Sequence, residues 1–242
     1  MRANRLAALA VLPAAALVAA CGSSSSGGST TGSAQVSSTP SPTATNANGC
    51  TPTPTLQASP QSYSAEPKLT ISPTTYTATI VTNCGTIVAA LDGKDAPHTV
   101  NSFAFLASKG YFDDTPCHRL TTAQAGIEVL QCGDPTGTGQ GGPGYTIPDE
   151  NLTGAKYPAG TLAMANTGQP HTGGSQFFFV YGPTPLPAQY TPFGHIVSGL
   201  DVLTRIAAAG TDNSNGYTGD GKPLQPVVIE SFTVTKGAPA AG

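Results

Sequence analysis

A mainly β domain, built as a barrel or sandwich of short antiparallel strands with only two helices, is the fold class this 242-residue chain predicts. Three features of the sequence predict it. β-Branched and aromatic residues gather in runs of strand length beyond residue 68. Glycine and proline, 29 and 22 residues respectively, punctuate those runs at close intervals. Two stretches place apolar residues at helical spacing.

The elements follow in order. Residues 76–82 and 86–91 are β-branched runs separated by Asn83-Cys84-Gly85, a hairpin signal. In residues 95–110, Asp95 can cap a helix, Pro97 suits its first turn and Gly110 ends it, with Val100, Phe103, Leu106 and Ala107 on one face. Further strands are expected at 115–120, 128–132, 160–165, 176–181, 192–197 and 226–235. A second helix is expected at 199–208, with Leu200, Leu203 and Ile206 (or Val202) inward. Alternation sends Phe177 and Phe179 to one face of their strand and Phe178 to the other. Antiparallel closure would remove sheet edges, and a helix at each open end would plug an eight-stranded barrel; the pattern leaves strand order open.

The N-terminus reads as an export signal. Arg2 and Arg5 form a basic start, and the Ala/Leu/Val run over 6–20 is shorter than the roughly 20 residues of a membrane-spanning helix. It ends in Val18-Ala19-Ala20-Cys21-Gly22, which resembles the bacterial lipobox, in which a cysteine after small residues is acylated and becomes the new first residue. An ordinary secretory signal also places small residues before its cut; Cys21 directly after them favours lipidation. Residues 21–67 are Ser, Thr, Gly, Pro and Ala with few large apolar groups, so a disordered tether is expected, followed by a domain over 68–236 and a flexible tail over 237–242. These features place the chain at the cell membrane, lipid-anchored on the extracytoplasmic face. Apart from Cys21, four cysteines remain, an even number suited to an oxidising compartment; they allow three pairings. No C-x-x-C spacing and no grouping of the four histidines suggests a metal. A net charge of −3 with no basic run gives nucleic acid no footprint.

Three stretches narrow the function. They are 110–120, containing Cys117-His118-Arg119-Leu120; 129–135, containing Val129-Leu130-Gln131-Cys132-Gly133-Asp134; and 160–179, containing Met164-Ala165-Asn166 and Gly174-Ser175-Gln176-Phe177-Phe178-Phe179. With Phe193-Gly194-His195-Ile196-Val197 behind them, they resemble the cyclophilin family of peptidyl-prolyl cis-trans isomerases over residues 76–235. The resemblance implies a closed eight-stranded antiparallel β-barrel capped by two α-helices. It also implies a monomer that acts on proline-containing polypeptides without a cofactor. Arg119 matches the family's catalytic arginine, His118 the histidine before it and Gln131 the pocket glutamine. Ala165 and Asn166 match the pair that grips substrate backbone, Gln176 the glutamine beside the groove and Phe178 the floor of the proline pocket. Leu186 matches a pocket-wall leucine, and Tyr190 stands where many members carry histidine.

The chain also departs from the family. Val129 stands where methionine is usual, and Ile127 or Glu128 where a pocket phenylalanine is usual, so the resemblance does not specify that part of the hydrophobic wall. Residues 121–126 replace a short Pro-Gly turn, and Pro185 replaces the drug-binding tryptophan of some members, which implies weak cyclosporin sensitivity. The implied strand pairing sets Cys117 and Cys132 one residue from groove-facing positions, so Cys117 is expected to bond Cys132 and Cys50 to bond Cys84, pinning the tether's end to the first hairpin.

The chemistry fits such a site. Rotation about an X-Pro bond meets a barrier near 20 kcal/mol, because amide resonance is lost, and takes tens to hundreds of seconds unaided. No bond is made or broken. A donor fixed near the twisted nitrogen and an apolar floor for the ring suffice, roles for Arg119 and Phe178, with Gln131 and Asn166 holding the backbone. Without the motif, Arg119 would be an ordinary strand arginine and the three phenylalanines ordinary core. His118 is expected to be structural, since no proton is transferred. The competing expectation is a non-catalytic chaperone or scaffold that binds proline segments on the same fold. The Gly-rich run 137–144 lacks a following Gly-Lys-Ser/Thr, and Ser175 lacks a nucleophile elbow, so phosphate-loop and hydrolase readings have little support.

Overall fold

The computed structural model describes residues 45–56 and 60–240. The expected signal peptide, Cys21, residues 22–44 and 57–59 of the tether and residues 241–242 of the tail lie outside them.

The hairpin at the start of the domain forms as β1 (Thr75–Thr82) and β2 (Gly85–Asp92), followed by helix α1 (Pro97–Ser108). Then come β3 (Thr115–Pro116), β4 (Arg119–Thr121), a 3-10 turn (Ala123–Ala125), β5 (Val129–Cys132), β6 (Thr161–Met164), β7 (Phe177–Val180) and β8 (Pro192–Ser198). Helix α2 (Leu200–Ala208), β9 (Asp220–Gly221) and β10 (Val228–Lys236) complete the order. All strands belong to one antiparallel sheet, ordered β3-β10-β1-β2-β8-β6-β7-β5-β4-β9.

The sheet thus has ten strand segments where eight were expected, for two reasons. The run 115–121 is interrupted at Cys117 and His118, which divides it into β3 and β4. The two-residue β9 arises between residues 208 and 226, where no strand was expected. Because β3 and β4 are one run of chain, that run borders β10 on one side, through Thr115 and Ile229, and β5 on the other, through Arg119 and Gln131. The interrupted residues keep both borders: Cys117 N–H donates to the Val227 carbonyl (2.9 Å) and His118 N–H to the Gln131 carbonyl (3.1 Å). The sheet therefore curls.

Inside the curl, Phe103 of α1 meets the rings of Phe112, Phe177, Phe193 and Phe232 at centroid distances of 4.6 to 5.9 Å. Each is fully buried, and such a side chain contributes about 1.5–3 kcal/mol. Val202, Leu203 and Ile206 bring α2 onto the same core. Asp95 does not cap α1. Ala96 occupies that position, and the Glu150 carboxylate from a neighbouring loop accepts the His98 and Thr99 N–H groups, each at 2.9 Å. A longer acidic side chain from outside thus satisfies the orphan donors at the helix's positive end.

The described residues upstream of the domain correct the disordered-tether expectation where they fall within it. Cys50 is fully buried and bonded to Cys84, Thr51 N–H donates to the Asn83 carbonyl (2.7 Å), and Asn46 Nδ2 donates to Gln225 (2.6 Å). Farther on, Tyr63 N–H donates to the Pro143 carbonyl (2.7 Å) and Glu66 pairs with His98 (2.6 Å). A covalent link and backbone hydrogen bonds hold this segment, so its low apolar content was a poor guide. The second disulfide joins Cys117 to Cys132.

Candidate active site

Strand register builds the site. Arg119 pairs with Gln131, Gln131 with Phe178, and Phe178 with Ala163, across β4, β5, β7 and β6. Directly paired residues share a face, so these four side chains form one row on the outer surface of the sheet. Arg119 and Phe178 stand two strand spacings apart, about 10 Å. The next row, Leu120, Leu130, Phe179 and Leu162, points into the main core. Phe177 and Phe179 lie inside that core, whereas Phe178 joins a separate outer cluster with Val129, Tyr157, Ala163 and Val180.

Val129 and Phe178 of that cluster face a cleft of about 460 Å³, lined among others by His118, Arg119, Ile127 and Leu186. Ile127 faces the pocket, and the Glu128 carboxylate lies against Gly182 instead. Ile127 and Val129 thus supply the wall where a larger aromatic was the family expectation. Tyr190 meets Phe178 edge-on at 5.6 Å. It is fixed by Tyr157, whose hydroxyl donates to the Tyr190 carbonyl (2.8 Å) and accepts its N–H (3.0 Å).

The polar groups form a chain. Arg119 Nε and Nη2 donate to the two carboxylate oxygens of Asp220, at 2.8 and 2.6 Å. Arg119 Nη1 reaches Gln131 Oε1 at 3.4 Å, Gln131 Nε2 donates to Gln176 Oε1 (2.9 Å), and Gln176 Nε2 donates to the carbonyls of Gly139 (3.0 Å) and Gly141 (2.9 Å). Asn215 Nδ2 also donates to Asp220 (2.8 Å). Arg119's hydrogen bond to Asp220 raises the guanidinium's pKa and lowers that of the carboxyl, so both remain charged. Burial lowers the His118 pKa, and its ring nitrogens have no hydrogen-bond partner among the described residues. The ring packs beside Gly139 at the cleft wall.

Asn166 lines the cleft beside Ala165, as expected for the pair, and its carboxamide is engaged within the protein. Its side-chain amide donates to the Gln189 carbonyl (2.8 Å) and its oxygen accepts the Gly168 N–H (3.0 Å). The carboxamide fastens the loop before Tyr190. Ala165 N–H donates to the Gln176 carbonyl (3.0 Å), which sets this pair on the cleft rim. Buried Asp134 accepts the N–H groups of Thr136 (2.8 Å), Gly139 (2.7 Å) and Gly141 (3.0 Å). Burial raises its pKa, but these bonds and the Thr136 hydroxyl outweigh that and hold it below the ordinary value, so the ionised carboxylate organises the loop 136–141. Asp220, Asn215, Tyr157 and Asp134 were not identified as site residues from the sequence. Asn215 and Asp220 lie in an Asn/Asp/Gly-rich turn, where nothing marks one carboxylate as facing an arginine far upstream in the chain.

A curled antiparallel sheet with two helices, carrying an arginine fixed by a carboxylate at the edge of a cleft that Phe178 also lines, is a cyclophilin-type fold. Residues 77–234 match the family described as cyclophilin type peptidyl-prolyl cis-trans isomerase/CLD, and the chain belongs to that family. Proteins named probable peptidyl-prolyl cis-trans isomerase B from Mycobacterium leprae and Mycobacterium tuberculosis are 45% and 44% identical to it, over 68% and 74% of this chain. The chain spans 59% and 61% of the length of those relatives. A solved cyclophilin type isomerase from Cryptosporidium parvum superposes with a TM-score of 0.59 at 30% identity, over 68% of this chain and 99% of that one.

Proposed function

We propose that this protein is a peptidyl-prolyl cis-trans isomerase that accelerates X-Pro rotation in exported polypeptides. The observation that carries this reading is the row joining Arg119 to Phe178 along a cleft whose apolar side is Ile127, Val129, Phe178 and Leu186. A proline ring seated on Phe178, walled by Ile127, Val129, Leu186 and Tyr190, is held while its preceding carbonyl swings. Asp220 occupies Nε and Nη2 of Arg119, leaving the Nη1 edge beside Gln131 to donate towards the nitrogen lone pair that appears as resonance is lost. Each 1.36 kcal/mol by which the twisted amide is favoured over the planar one gives about tenfold in rate. The family relationship supports the activity, and a structure of the Cryptosporidium parvum protein in the presence of the dipeptide Ala-Pro supports the ligand class.

Two further readings accompany this one. We read the curled sheet as a closed eight-stranded barrel, supported by the single run 115–121 that borders both β10 and β5. We also read the chain as a monomeric lipoprotein held through Cys21 at the outer face of the membrane, supported by the basic start, the apolar run and the small residues before that cysteine.

Exchange spectroscopy on an Ala-Pro peptide tests the activity. Cross-peaks between cis and trans forms at substoichiometric protein are expected. Peptide binding without them would favour the non-catalytic chaperone or scaffold.

A further inference from the structure

We propose that residues 61–66, upstream of the family's matched region, are a positioning strap that sets the shape of a second cleft beside the proline pocket and thereby its selectivity for residues flanking the proline. The proposal rests on the isomerase reading for its catalytic consequence, but not for the contact itself.

The second cleft measures about 940 Å³ and shares Gln131, Gly139, Gln140, Ala165 and Asn166 with the proline pocket. One wall is the loop 139–146, which contains Gly139, Gly141, Gly142 and Gly144. A glycine-rich loop loses much backbone entropy on ordering and has few side chains with which to anchor itself. Its position is therefore set by what grips it. On the groove side the grip is Gln176, through the Gly139 and Gly141 carbonyls, and Asp134, through the Gly139 and Gly141 N–H groups.

On the outer side Tyr145 shares a hydrogen bond with the Ser102 hydroxyl of α1 (2.7 Å), and the grip on the glycines before it is the strap. Tyr63 N–H donates to the Pro143 carbonyl at 2.7 Å. Gly144 lies so close that a Cβ there would run into the Ser62 hydroxyl and the Tyr63 carbonyl, and its φ of +88° suits only glycine. The strap is in turn fixed to α1 along its length. The Tyr63 ring meets Phe105 edge-on at 4.9 Å, and Gln61 Nε2 donates to the Lys109 carbonyl (3.0 Å). Glu66 pairs with His98 (2.6 Å), and Asn101 Nδ2 donates to the Pro67 carbonyl (3.2 Å). The loop is thus clamped between the groove and a segment that the family region, residues 77–234, does not include.

The test compares wild type, Tyr63→Ala and Tyr63→Phe in the full chain. In Tyr63→Ala, which loses the ring against Phe105, amide hydrogen exchange over 139–146 is expected to quicken while that of β1 and β10 stays unchanged. Peptides carrying a bulky residue on either side of an Ala-Pro core then report the consequence. For the series that enters the second cleft, KM should rise about fivefold, the size of one net hydrogen bond, with kcat unchanged and with Ala-Pro itself unaffected. Tyr63→Phe keeps the ring contact and should behave as wild type. Unchanged exchange over 139–146 in Tyr63→Ala would overturn the strap, and so would an equal loss on Ala-Pro and on every extended peptide. A wild type without isomerase activity would refute the parent reading instead, and the exchange comparison would still decide the contact.

Discussion

The two faces of the strip β4-β5-β7-β6 carry adjacent rows of the same four strands, yet they are held by different physics. The inner row, Leu120, Leu130, Phe179 and Leu162, is uniformly apolar and fully buried. Its stability is a matter of volume, so a residue of similar size and polarity would serve. The outer row, Arg119, Gln131, Phe178 and Ala163, alternates charge, amide, aromatic ring and methyl, and each position has a distinct partner. A slip of one residue in register would exchange the rows, burying an arginine and exposing the core. The inner face therefore enforces the register on which the chemistry of the outer face depends.

Phe177 is fully buried against Phe103, Phe179, Phe193 and Phe232. Phe177→Ala should cost about 3–5 kcal/mol in urea unfolding while the folded fraction keeps its turnover per molecule. Equal loss of turnover at full folding would mean the two faces are not separable.

Asp220→Asn attacks the outer face. It keeps the shape but removes the charge that draws Arg119 into a bidentate pair, and kcat should fall about tenfold with KM little changed. The wild type should show the same dependence in acid. Because Arg119 holds the Asp220 carboxyl below its ordinary 3.8, the pair is complete above that value. Its contribution to stability and orientation is lost only as pH falls through the lowered one. An activity profile that is flat down to unfolding, in wild type and Asp220→Asn alike, would separate the carboxylate from the mechanism.

The smallest effect concerns His118. Burial keeps its imidazole neutral below the ordinary 6.5. Between that value and the lowered one the unfolded chain binds a proton that the folded chain does not, so stability declines as pH falls through this window. His118→Gln should flatten the pH dependence of the urea midpoint without abolishing isomerisation; an unchanged slope would show that the ring titrates normally.

Much of this was legible in the sequence because it depends on local pattern. The alternation of Phe177, Phe178 and Phe179 gave their faces, and the β-branched runs and the face of Val100, Phe103 and Leu106 gave the principal strands and helix. What was missed depends on meetings distant in sequence. Asp220 reaches Arg119 across a separation of 101 residues, Glu150 caps α1 from 51 and 52 residues away, and Tyr157 fixes Tyr190 from 33 away. None of these residues carries a local mark of its partner. The described residues before 68, namely 45–56 and 60–67, were misread for a related reason: composition reports apolar burial, and these residues are held by Cys50 and by backbone hydrogen bonds.

The most direct measurement is exchange spectroscopy under saturating Ala-Pro peptide with wild type and Arg119→Ala, alongside a binding titration of both. Arg119→Ala should still bind, with Kd within about threefold, because Phe178 and its walls seat the ring. Exchange should slow by about 100-fold, the scale of removing one fixed transition-state donor. Equal acceleration by the two proteins would contradict that role of Arg119.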